Sequence, residues 1–317
     1  MAAWVVFCGG AAWGDSPAKV EATLGAPTDF VVPDYMKDRT ELIPLFHGVK
    51  VYRDIEYVPG ASKIPLANPA ALDPVALKYI QAGGKTRAFD LYVPKKVSEK
   101  MPLVVYFHGG PNRGKKEDWI PALVLLTKGY IVASANYRLR GEAAFPASLY
   151  DGKAVIRWMR AHAAEYHIDP DHIGVWGHSA GAWMADWMGA TNDEPTMEGD
   201  EGNLEFSSHV QAVCSWSGGT MALDSGKPSE LKYIDVNKTA PFLLMHGMKD
   251  PVVPFSLDKL LAAGLVNAGV ECTFIPVPEA GHGIGGPKLE KQVIAFFDRH
   301  LKPESAGGVT EQKDLAH

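Results

Sequence analysis

Cysteine is scarce in this sequence. Cys8, Cys214 and Cys272 are the three cysteines among 317 residues, and so odd and sparse a set cannot build a disulfide framework. Cys214 and Cys272 fall in strand-like runs, VQAVCSW and ECTFIPV, where a thiol is expected to serve as a small core hydrophobe rather than a nucleophile. Lysine- and arginine-rich runs are missing too. With a net charge of −6, this balance argues for no nucleic-acid partner. No segment reaches the ~20 consecutive apolar residues of a membrane span. The first residues, MAAWVVFCGGAAWGDSPA, carry a short apolar stretch ending in small residues, yet no Lys or Arg precedes Lys19. That pattern resembles the later part of a signal peptide without its basic start. The expected location is secreted or periplasmic, with the cytoplasm as the alternative.

What is present is ample core material, with 46% hydrophobic and 21% charged residues, so most of the chain is expected to be ordered. From residue 101 onward, short apolar runs alternate with amphipathic stretches. Leu103–Phe107, Tyr130–Ala135, Ile173–Trp176, Val210–Trp216, Pro241–His246 and Glu271–Val277 are nearly continuous in apolar character. Such runs fit strands buried on both faces, as in a parallel sheet. Helices are expected between them at Pro146–Tyr166, Pro254–Ala268 and Lys288–His300. Alternation of this kind predicts an α/β class with a mostly parallel central sheet flanked by helices and no large cap domain. Val49–Val58 and Thr86–Val93 alternate more like antiparallel strands, and Val75–Ala82 reads as a short helix. The expected domain is 45–302, with an extension at 1–44 and a loose tail at 303–317.

The chemistry centres on Gly177-His178-Ser179-Ala180-Gly181, which follows IGVW and precedes AWMADWMGA. This is G-x-S-x-G between strand and helix, the setting that holds a serine on a sharp turn with its hydroxyl exposed. The flanking glycines leave room for that turn. A serine hydroxyl needs a base. His282 follows the last strand and precedes the last helix. Asp250, after PFLLMH, completes the chain order Ser, Asp, His; its role is to hold the base in one tautomer. An oxyanion needs preorganised N–H donors. The amide of Ala180 is one, and Gly109, Gly110 or both, in His108-Gly109-Gly110-Pro111, supply the rest, because Pro111 has no N–H. Gly110→Pro tests that assignment. Trp216 ends a strand, so it is expected to touch the substrate. Trp183 and Trp187 read as core, Trp119 as a weaker contact, His108 as an orienter of the oxyanion turn, and Asp151 as a local pair or cap. Asp224 and Asp235 rank behind Asp250, since neither directly follows a clear strand.

Three other patterns carry less. Gly281–Gly286 matches G-x-G-x-x-G, but the chain ends before a second strand with an acidic residue. Gly84-Lys85-Thr86 looks like the end of a phosphate loop, but Tyr79 stands where the first glycine belongs. His162, Glu165 and His167 fit no zinc-peptidase spacing. VVYFHGG, Asn136-Tyr137-Arg138-Leu139, Phe145-Pro146 with Asp151, Asp169-Pro170-Asp171, GHSAGA and HGMKDPVVP recur in a recognisable order. Through these the chain resembles the bacterial feruloyl-esterase and acetylxylan-esterase-like branch of the α/β-hydrolases, and is similar to hormone-sensitive-lipase-like carboxylesterases. The resemblance implies a cofactor-free serine esterase acting on short-chain or carbohydrate-linked esters. Pro111 and the long stretch 59–82 depart from that pattern. Two alternatives stand beside it: a serine peptidase of prolyl-oligopeptidase-like type, and an inactive hydrolase-like binding module.

Overall fold

The computed structural model describes residues 26–302, apart from 62–65, 67, 96, 98 and 221–229. The leader-like stretch with Cys8, the tail from 303 and Asp224 lie outside the described residues. Nine strands among those described form one sheet: β1 Thr28–Asp29, β2 Val49–Glu56, β3 Ala88–Pro94, β4 Met101–Phe107, β5 Ile131–Ala135, β6 Ile168–His178, β7 Ala212–Trp216, β8 Phe242–Gly247 and β9 Cys272–Val277. Their order is β1-β2-β3-β5-β4-β6-β7-β8-β9. The pairs from β5 through β9 are parallel, whereas β1, β2 and β3 pair antiparallel. The β4, β5, β7 and β8 cores are buried on both faces, as their continuous apolar runs require. β9 differs from expectation: it forms the sheet edge and is half-exposed along its length.

Helices α1 Pro74–Gln81, α2 Ala147–Ala161, α3 Ala180–Ala190, α4 Phe255–Asn267 and α5 Pro287–Leu301 cover the sheet. α1 begins where the Asp73 carboxylate accepts the Val75 amide at 2.8 Å and proline takes the first helical position. α2 stops at Ala161, five residues short of the predicted end. There His162 stacks on Trp158 with ring centroids 3.9 Å apart, and His167 adopts a φ of 59°.

Strand alternation splits the core into two clusters, one on each face. Val213, Phe242 and Leu244 pack with α2, α3 and α4. Cys214, Trp216 and Met245 pack with α5 and the 3-10 segment Pro121–Lys128. The 1–44 boundary needs correction. β1 pairs with β2, and Met36, Leu42 and Phe46 join the second cluster. Tyr35 accepts the Ile120 amide through its hydroxyl at 3.0 Å, and Arg39 makes two bonds to Glu290 at 2.9 and 3.0 Å. The domain therefore includes the described residues before 45. Their irregular 3-10 turns carry no periodicity that sequence reading detects.

Candidate active site

The carboxyl ends of β6, β8 and β9 converge at one edge of the sheet, where open α/β sheets bind ligands. β6 ends at His178 and α3 begins at Ala180. Ser179 forms the corner between them with φ 54° and ψ −118°, a strained conformation for a side-chain-bearing residue. The surroundings enforce it. A Cβ on Gly177 would lie 2.1 Å from the Gly181 carbonyl oxygen, and one on Gly181 would lie 2.1 Å from the Phe107 carbonyl oxygen. The Ser179 amide donates to the Trp216 carbonyl at 2.9 Å, tying the corner to β7.

Gly247 performs a matching service for the other two groups. A Cβ there would lie 2.1 Å from the Gly281 carbonyl oxygen. The loops after β8 and β9 thus pack backbone to backbone, and the Lys249 amide donates to the Ala280 carbonyl at 2.9 Å. This contact sets His282 beside Asp250. His282 Nε2 is 2.8 Å from Ser179 Oγ, and its Nδ1 is 2.8 Å from Asp250 Oδ2. Asp250 Oδ1 accepts the amides of Val252 and Val253 at 2.7 and 2.9 Å. Burial pushes the Asp250 carboxyl up, but the His282 bond and the two amides outweigh it and hold the group below its ordinary range.

Gly109 lies against the serine corner: a Cβ would approach His178 Nδ1 to 2.9 Å and the Ser179 Cβ to 3.3 Å. Gly110 takes φ +80°, and its carbonyl accepts the Arg113 and Gly114 amides, curling the loop back. The Ala180 amide heads α3 and has no intrahelical acceptor. His108 is buried with its ring stacked on Tyr137 at 4.5 Å, and the Tyr137 hydroxyl donates to the His108 carbonyl at 2.6 Å. Burial lowers the His108 imidazole pKa, favouring its neutral form. His178 faces the cleft, with Nε2 3.3 Å from the His282 carbonyl.

Two hollows meet at Ser179. One, of about 530 Å³, is lined by Tyr137, Arg140, Phe145, Ala180, Trp183 and Val253 among others. The second, of about 650 Å³, is lined by Gly109, Asp118, Trp119, His178 and His282 among others. Trp216 lines neither. It is fully buried against Trp176 and Trp119, which corrects its reading as a substrate contact. Trp183, read as core, lines the first hollow, while Trp187 is buried as expected. Asp151 receives the Arg138 amide and Nε, a local pair as anticipated. Asp235 caps its own turn by accepting the Asn237 amide. Among the described residues no His, Cys, Asp and Glu side chains group as a metal cluster.

The chain is similar to known proteins. A family model described as BD-FAE matches residues 89–230, and the prolyl oligopeptidase family model matches 225–304. Esterase LipQ of Mycobacterium tuberculosis is 25% identical over 232 residues, spanning 63% of this chain and 55% of that protein. A truncated carbohydrate esterase from gut microbiota superposes with a TM-score of 0.65 at 27% identity, covering 78% of this chain and 95% of that one. An esterase of Thermogutta terrifontis solved with propionate bound gives a TM-score of 0.56 at 26% identity, covering 65% and 86%. The chain spans about half the length of LipQ, a curated relative it matches. On its sheet order, its serine corner and these likenesses, the chain has the α/β-hydrolase fold and is similar to esterases that share it.

Proposed function

We propose that this chain is a serine carboxylic-ester hydrolase with Ser179 as nucleophile, His282 as base and Asp250 as the acid that orients it. The observation that carries the reading is the aligned run Asp250–His282–Ser179, with both links at 2.8 Å, at the junction of two hollows. Ser179 attacks the ester carbonyl while His282 takes the hydroxyl proton. The amides of Ala180, Gly109 and Gly110 receive the oxyanion. His282 then returns the proton to the departing alcohol, and water enters against the same base to release the acid.

That proton return assigns the two hollows. The alcohol leaves on the side lined by His282, where Asp118 and Trp119 offer a polar group and an aromatic face. The acyl group occupies the side lined by Ala180, Phe145 and Trp183. The aromatic lining suits a short or aromatic acyl group, and the open polar side suits a sugar alcohol, in keeping with the carbohydrate esterase among its structural neighbours. The prolyl oligopeptidase match covers residues 225–304, the stretch that carries Asp250 and His282, so a peptide is the competing substrate. Ser179→Ala should abolish hydrolysis of p-nitrophenyl acetate and labelling by a fluorophosphonate probe; retained hydrolysis would sink the assignment. Esters varied separately in acyl and alcohol, run beside peptide substrates, test the class. Faster cleavage of peptides than of any ester would favour the peptidase.

A further inference from the structure

The hydrogen-bonded run does not stop at Asp250. Asp250 Oδ2, which accepts from His282, also faces His246 Nε2 at 3.1 Å. On the other side of that ring, His246 Nδ1 is 2.6 Å from Asp258 Oδ2. Asp258 is anchored in turn by the Gly219 amide at 2.7 Å. The side chains of His246, Asp250 and Asp258 are all fully buried. Five side chains thus form one continuous line: Ser179, His282, Asp250, His246, Asp258.

Every atom facing the His246 ring nitrogens is an acceptor. Nδ1 meets a carboxylate, and Nε2 meets a carboxylate and the Val253 carbonyl at 3.0 Å. A neutral imidazole would turn one lone pair against an oxygen. An imidazolium satisfies all three contacts and balances two buried carboxylates. We infer that His246, held as a cation by Asp258, is a positioning residue of the active site that fixes the Asp250 carboxylate and offsets its charge toward His282.

The surroundings agree. Burial works against a charge on His246, but the Asp258 bond and charge, the Val253 carbonyl and Asp250 outweigh it, and the net direction is up. From α4 the ring also meets Phe255, edge-on with centroids 5.8 Å apart. Behind Asp258, burial and the Asp258 charge push the Asp186 carboxyl well up, and burial raises the Cys272 thiol to about 12, so neither adds a compensating ion. The consequence is directional. An anion that attracts two cations holds each less tightly, so His246 limits how strongly Asp250 favours protonated His282.

This inference rests on the proposed esterase reading for its kinetic arm alone. Both His246→Gln and Asp258→Asn remove the cation from Asp250. Each should move the acid limb of the kcat/KM profile upward by about one pH unit, with KM near wild type and much of kcat recovered at alkaline pH. Loss of kcat at every pH with an unmoved acid limb would make these residues merely structural and overturn the proposal. A second measurement needs no variant and no turnover. Nitrogen-15 NMR of histidine-labelled wild-type protein at neutral pH should show both His246 ring nitrogens protonated. A neutral His246 ring refutes the inference even if the ester assay succeeds. If the ester assay fails while the ring is cationic, the functional reading fails and the charge arrangement stands.

Discussion

At the scale of single residues, the oxyanion turn is where the geometry replaces one experiment with another. Gly110→Pro looks like a clean test of an amide donor from the motif alone. With φ +80° at Gly110, proline cannot enter that conformation, so the variant would break the turn whatever its amide does. Gly109 offers the sharper probe. An added methyl would meet the His178 ring at 2.9 Å and the Ser179 Cβ at 3.3 Å, forcing the loop away from the nucleophile by a few tenths of an ångström. Gly109→Ala should lower kcat on the order of 10²-fold, the usual cost of a misplaced oxyanion donor. The folded state should lose about 1–3 kcal/mol, the range for overpacking. Steady-state kinetics and urea unfolding measure the two separately. Full turnover in Gly109→Ala would show that this loop does not serve the oxyanion.

At the scale of elements, the loop after β5 depends on one buried carboxylate in α2. Asp151 is wholly buried and accepts the Arg138 amide at 2.7 Å and its Nε at 2.9 Å. Burial drives its carboxyl up while Arg138 pulls it down, and the net direction is up. Arg138, Arg140 and Phe145 on that loop line the hollow proposed for the acyl group. Asp151→Ala leaves Arg138 only its 3.3 Å contacts to Glu201 and the Ala147 carbonyl and its amide without that acceptor, which should cost about 1–3 kcal/mol. It should also raise KM for esters with bulky acyl groups more than for acetate. Equal KM changes for both would separate the loop from acyl selection. This level also shows what the sequence could disclose. The strands were legible because β4, β5, β7 and β8 are buried on both faces and leave unbroken apolar runs. The serine corner was legible because close backbone approach demands glycine at 177 and 181. The two tryptophans exchanged roles for a reason of parity. Trp216 shares its face of β7 with Cys214 and Ala212, beneath α5, and nothing local says which face borders the cleft. α3 is apolar on nearly every side, so periodicity could not single out Trp183, in its first turn, as the side chain that reaches the hollow. His246 was hidden differently. It lies one residue before the end of a buried strand and four before Asp250, and its partner Asp258 sits on the next helix, a pairing only the tertiary fold reveals.

At the scale of the whole molecule, the sheet divides two cores, and the core under α3 and α4 contains acids that prefer to stay protonated. Asp186 is fully buried. Its Oδ2 accepts from the Ser215 hydroxyl at 3.0 Å, while its Oδ1 has no partner. Burial, then the Asp258 charge, raise its carboxyl well above the ordinary range, with Ser215 opposing. Burial likewise raises Glu230 beside it, and Glu142 on the loop after β5. The sign follows from proton counting. Above an unfolded pKa of about 3.9 the unfolded chain releases the Asp186 proton while the folded chain keeps it. Folding stability therefore falls as pH rises, by about 1.4 kcal/mol per unit for each such group, until the folded pKa is passed. Below the unfolded value the contribution is fully present. The buried imidazoles work the other way: burial lowers His108 and His178, so their contribution is lost as pH falls below about 6.5. Asp186→Asn isolates one term. The amide keeps the shape and an acceptor for Ser215 but cannot ionise. Its stability relative to wild type should be constant below about pH 4 and should grow steadily as pH rises from there. Urea unfolding of both proteins from pH 3 to pH 8 reads that difference directly. A difference that stays level with pH would mean that Asp186 is ionised in the folded protein, and the neutral acid beneath the nucleophile helix would have to be abandoned.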